Sequence, residues 1–261
     1  MFSWLKRRPT AASTMRRAII LKYILVKGLA APPVEYLRGA MTQWTPEERS
    51  QFMADAAQTF MEKVNHLKAT GLWLDVEEDE RRFLQVGVDQ ISVQHRIDAG
   101  WLAESIACLL WALKIIPELP PYDHEAGHEL VNALPANSIK DLTKQAHLRP
   151  QEEIKKQRDI AELWHWRART RRLQEEGHLF QLPSAYTIEK VIELTASKSA
   201  ENGDLPRPIG SDFPAMGKPY RDLSPEEFAI LTSIAQERHK ALNWLCGFSS
   251  SGLWADTPTS T

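Results

Sequence analysis

The segment Tyr122-Asp123-His124-Glu125-Ala126-Gly127-His128 contains the pattern H-E-x-x-H. Two histidines four residues apart on one helix face can put both imidazoles on a single Zn²⁺, and the intervening glutamate can act on the metal-bound water. His124 and His128 would then be ligands and Glu125 the catalytic base of a zinc-dependent hydrolase. His147, Glu152 or Glu153 downstream would supply a third ligand. The surroundings argue the other way. Pro120-Pro121 hold back any helix until about Asp123, which leaves His124 in a fraying first turn. Gly127 weakens the helix further, and Glu129 is charged where zinc proteases usually carry an uncharged residue. The preferred reading is a solvated acidic face on a helix over 124–133, with no cofactor.

A second set of reactive groups sits on apolar stripes. The segment 98–116 is apolar nearly all round (Trp101, Leu102, Ile106, Leu109, Leu110, Trp111), which places it at the centre of a bundle. Glu104 shares a row with Cys108, Trp111 and Ile115. Arg238 stands inside the stripe Phe228, Leu231, Ala235, Leu242, Leu245, while Arg158 and His165 share one with Ile154, Ala161 and Ala168. An unpaired buried charge is very costly, so these residues should find one another. The expected contacts are Glu104 with Arg238 or Arg158, and stacking of Arg167 or His239 on Trp164, Trp166 or Trp244. Such a set is either a core network that fixes helix register or a polar ligand pocket, and the core network is preferred.

Helices must carry these residues. Thr45-Pro46-Glu47-Glu48 and Ser224-Pro225-Glu226-Glu227 both read as an N-cap, a proline at the first helical position and a capping box. Helices are expected near 14–27, 46–69, 77–86, 98–116, 124–133, 138–146, 150–176, 186–199 and 225–247. No segment alternates as a strand does, and no repeat is visible. The fold class is all-α: a single-domain, irregular helical bundle over 14–261 behind a basic arm at 1–13. A Pro/Gly-rich loop at 198–225 precedes the last helix, and a loop of that length is often functional or disordered.

Charge narrows the function. Lys and Arg number 32 against 34 acids, a net charge of −2, with 43% hydrophobic and 25% charged residues. That balance fits a folded globular chain and argues against nucleic acid as partner. Residues 1–40 carry 8 basic residues and 1 acid, whereas 41–135 carry 7 and 16. The basic start is therefore expected to pair with the acidic middle. The arginines within 167–174 are nearly cancelled by neighbouring acids and read as a solvated face. Lys22 and Lys27 interrupt the apolar run 19–26, which is too short to span a membrane. Cys108 and Cys246, both in apolar segments, read as buried thiols of a cytoplasmic protein.

Three blocks resemble a known family: Trp101–Pro120 (WLAESIACLLWALKIIPELP), Arg158–Arg172 (RDIAELWHWRARTRR) and Glu237–Phe248 (ERHKALNWLCGF). They are similar to the signature blocks of the bacterial domain-of-unknown-function family 4272, over most of 14–261, with the last block the most specific. Where the family has "ALGLI" this chain has Ala112-Leu113-Lys114-Ile115-Ile116. The resemblance brings no activity. It implies as motif residues Glu104, Trp111, Arg158, Trp164, Arg167, Glu237, Arg238, His239, Asn243 and Trp244. The expectation is a non-catalytic binding or interaction module with a protein partner, of the inhibitor or immunity type. The alternatives are the zinc hydrolase and a small-ligand sensor with a polar pocket between helices.

Overall fold

The computed structural model describes residues 8–30, 39, 42–134, 145–183 and 186–260. Both expected capping boxes form. Thr45 Oγ1 accepts the Glu48 N–H and Glu48 returns to the Thr45 N–H, opening a helix over Pro46–Ala69. Ser224 and Glu227 do the same for Pro225–Leu245. Each box satisfies N–H groups that the first turn leaves without partners.

Among the described residues the main helices, in chain order, are α1 (Ala11–Ala30), α2 (Pro46–Ala69), α3 (Glu78–Gln85), α4 (Val93–Ala112), α5 (Gln151–Glu175), α6 (Ile188–Glu201) and α7 (Pro225–Leu245), with short 3₁₀ turns between some of them. The all-α expectation holds, but several boundaries move. The helix expected at 98–116 runs over Val93–Ala112 because Ser92 caps it, accepting the His95 N–H. It ends early because Lys114 adopts a left-handed φ of 61°, and the Ile115 N–H reaches back to the Leu110 carbonyl. This is a C-terminal cap in which glycine is favoured. The helix expected at 124–133 is instead a 3₁₀ turn over His128–Ala133. The one expected at 138–146 lies mostly outside the described residues, as do residues 1–7 of the basic arm. The rest of that arm is partly helical, since α1 begins at Ala11.

α1 packs along α4, α4 against α7, and α7 against α5. Basic start and acidic middle pair as expected. Arg16 bonds Asp75, and the half-buried carboxylates of Glu77 and Glu80 take Arg17 at 3.0 and 2.6 Å. A larger core gathers α1, α4 and the end of α7. A smaller one is built by α5, α7 and the Pro/Gly-rich segment. That segment folds into a hairpin, β1 (Pro214–Ala215) with β2 (Lys218–Pro219). Its two-residue turn, Met216-Gly217, has φ of 51° and 74°, as primed hairpin turns require. Phe213, Ala215, Tyr220 and Leu223 on it are all buried. Their burial explains why a loop this long is ordered.

Candidate functional site

Glu104 on α4 and Arg238 on α7 are 1% and 0% exposed and form the expected ion pair, Nε to Oε2 at 2.7 Å. Arg238 spends its other nitrogens on backbone. Nη1 donates to the Pro120 and Pro121 carbonyls at 2.6 and 3.1 Å, and Nη2 to the His124 carbonyl at 3.0 Å. Glu104 Oε1 accepts the Ala126 N–H at 2.6 Å. The guanidinium also lies 4.8 Å from the Tyr122 ring centre. Pair and segment thus satisfy each other, as buried charges require. Beside them, Glu237 accepts from the Ser105 hydroxyl at 2.8 Å. Burial pushes its carboxyl above the ordinary range despite Lys240 nearby.

This arrangement decides the fate of H-E-A-G-H. Residues 124–127 are not helical, so His124 and His128 share no helix face. The His124 ring is exposed and contacts Asp123 at 2.8 Å. Glu125, His128, His147, Glu152 and Glu153 are exposed as well. Among the described residues no three His, Cys, Asp or Glu side chains cluster so as to hold a metal. The residues as placed do not fit a zinc site, because the prolines that delay the helix and the backbone bonds to Arg238 and Glu104 hold a turn at 122–124 and non-helical backbone at 125–127.

Arg167 takes a partner the sequence reading missed. Its Nε and Nη2 grip both oxygens of Asp212 at 2.7 Å, each side chain 1% exposed. Asp212 also accepts the Phe213 and Arg221 N–H groups at 2.7 and 3.0 Å. Arg167 lies over Tyr220, not over a tryptophan, at 5.0 Å. The signal for Asp212 was its place beside Phe213 in a segment whose apolar residues had to be buried somewhere. Trp164 stacks on Tyr122 with ring centres 5.4 Å apart, so the expected partners Arg167 and His239 lie elsewhere.

A polar chain runs along the contact between α5 and α7. Arg158 Nε donates to Asn243 Oδ1 at 2.9 Å, while its Nη1 meets Asp159 and Glu162, so the Glu104–Arg158 alternative does not form. Asn243 Nδ2 meets the Pro258 carbonyl at 2.9 Å and His239 Nε2 at 3.0 Å. His239 Nδ1 in turn meets His165 Nδ1 at 3.0 Å. Satisfying every contact requires His239 to carry its proton on Nδ1 and His165 on Nε2, both rings neutral. Burial lowers His239 to about 3, helped by His165 and Arg158. It lowers His165 to about 4, helped by Arg169 and Arg172. Trp244 donates to the Gly252 carbonyl and meets Trp254 edge-on at 5.5 Å, which pins residues 249–257 to the body.

Where the two cores meet, a cleft of about 340 Å³ opens between α4, α5 and the hairpin segment. Trp111, Tyr122, Trp164 and several prolines wall it, and its charged lining residues are Glu118, Asp123 and Asp204. Burial alone would raise Asp123, but the Met216 N–H, at 3.0 Å, and His124 hold it below the ordinary carboxylate range. Lys156 already lies 3.6 Å from Asp204, and beside Glu118 and Asp123 the cleft can take a further cation against its aromatic faces. None of these acids was singled out as a site from sequence, because Glu118 and Asp123 on one connection meet Asp204 on another only in the fold.

The chain is mostly helical, and the polar residues of these blocks are mostly internal to it. A family model described as "Domain of unknown function (DUF4272)" matches residues 8–192, and the chain belongs to that family. The match includes Glu104, Arg158, Trp164 and Arg167 but stops short of the closing block at Glu237–Phe248. No curated protein and no solved structure matches the chain.

Proposed function

We propose that this protein is a non-catalytic binding module that takes a basic group of a protein partner into the cleft between the two cores. One observation carries the reading: a cavity of about 340 Å³ with tryptophan, tyrosine and proline walls, whose charged lining residues, among those described, are all acidic. A Lys or Arg side chain fits that chemistry, its stem against the rings and its head among carboxylates. The motif residues Glu104, Arg167, Arg238, His239 and Asn243 are buried, Glu104 bonded to Arg238, His239 to Asn243 and Arg167 to Asp212, so they support the walls rather than meet a substrate. Blocking a partner in this way is what an inhibitor or immunity-type protein does. We place it in the bacterial cytoplasm. Cys108 and Cys246 are buried free thiols, and no helix of the described residues is long and apolar enough to cross a membrane.

Co-purification from the native source tests the reading, using the wild-type chain beside a Glu118→Lys/Asp204→Lys variant. The partner should be retained by the first and lost by the second, with thermal unfolding of the two alike. A partner held equally by both would contradict it.

A further inference from the structure

Lys27 on α1 is 1% exposed. Its Nζ donates to the Leu84 and Val86 carbonyls at 2.8 and 2.6 Å, at the C-terminal end of α3, and lies 5.0 Å from the Phe60 ring centre. These partners are neutral, and no carboxylate among the described residues pairs with it. Two carbonyls occupy two of the three ammonium donors. Burial lowers the amine to about 8, so it still carries its charge at pH 7. A buried cation with no counter-charge among the described residues is an unusual thing to retain in a core.

The same lysine lines a cavity of about 370 Å³ between α2 and the end of α3. Phe60, Val64, Leu84 and Val88 form its apolar wall, and among the described residues Lys68 is its other charged residue and no Asp or Glu lines it. Met61, 56% exposed, and the exposed Lys68 mark its opening. The volume falls in the range of small-molecule sites. A ligand matching these walls has an apolar body and one negative head.

We propose that this cavity binds a small monocarboxylate with an apolar tail, of the medium-chain fatty-acid type, with its carboxylate on Lys27 and its tail along Phe60, Val64 and Val88. The carboxylate supplies the counter-charge through a charge-assisted hydrogen bond. The tail gains from leaving water in proportion to its buried area. This site is separate from the acidic cleft and does not depend on it.

Calorimetric titration of the full chain with octanoate at pH 7 tests the proposal. Saturable binding at one site is expected, with octan-1-ol, of equal tail and no charge, at least tenfold weaker. Lys27→Met should weaken octanoate at least tenfold and leave octanol nearly unchanged. Should that variant fail to fold, Met61→Trp keeps Lys27 while narrowing the opening, and should weaken octanoate and octanol alike. A lysine that only caps α3 predicts no octanoate binding at millimolar concentration. That result would overturn the proposal, as would octanol equal to octanoate, Lys27→Met equal to wild type, or octanoate binding undiminished by Met61→Trp.

Discussion

Two pairs of histidines behave in opposite ways. His124 and His128 have the spacing of a metal site, yet one closes a turn and the other starts a 3₁₀ turn, their rings exposed. His165 and His239 are 74 residues apart, yet their rings touch at 3.0 Å inside a hydrogen-bonded chain. Around the first pair it is backbone that contributes, the His124 carbonyl to Arg238 and the Ala126 N–H to Glu104; the second pair contributes through its side chains. Local spacing makes chemistry only if the expected element forms beneath it. Here two prolines and a buried ion pair decide that it does not.

The contrast predicts a graded set of effects. The largest belongs to the internal side chains. Asp212→Leu leaves Arg167 buried and unpaired and should cost about 3–5 kcal/mol in urea unfolding, whereas the joint change Arg167→Met/Asp212→Leu should recover much of that loss. Next is pH. His165 and His239 titrate lower when folded than the ordinary 6.5, so between about pH 6.5 and 3 the unfolded chain binds more protons. Their contribution is full above about 6.5, a few kcal/mol for the pair after solvent screening and the mutual repulsion of the rings are discounted from about 8. It is lost as pH falls through that window, to about 4 for His165 and about 3 for His239. A melting temperature that drops across it, and drops less in His239→Gln, would bear this out. Smaller still, Lys114→Gly relieves the left-handed residue that ends α4 and should stabilise by about 1 kcal/mol. The smallest effect sharpens the contrast: His124→Ala/His128→Ala should stay within about 0.5 kcal/mol of wild type.

The amino-acid order reveals some of this and conceals the rest for physical reasons. Glu104 and Arg238 were legible because a charge on an otherwise apolar helix row has to be buried, and a buried charge needs a partner. Capping boxes were legible because they are local. Asp212 was not, since it sits in a segment without periodicity and its role depends on Phe213 and Tyr220 being buried beside it. The His165–His239 contact depends on how α5 and α7 pack, which neither stripe specifies alone. Lys114 was visible as a departure from the family's glycine, but its left-handed conformation became meaningful only once the end of α4 was known. The cleft acids Glu118, Asp123 and Asp204 come together only when both cores are assembled.

The central claim is that the motif charges hold the fold together, and Glu104 with Arg238 tests it most directly. Unfolding free energies are needed for Glu104→Gln, Arg238→Met and the double variant. Each single change should cost about 3–5 kcal/mol, and the double should cost clearly less than their sum, a coupling of about 2 kcal/mol or more. Additive costs, or single variants as stable as the wild type, would contradict the claim and return these residues to the list of groups kept for a ligand.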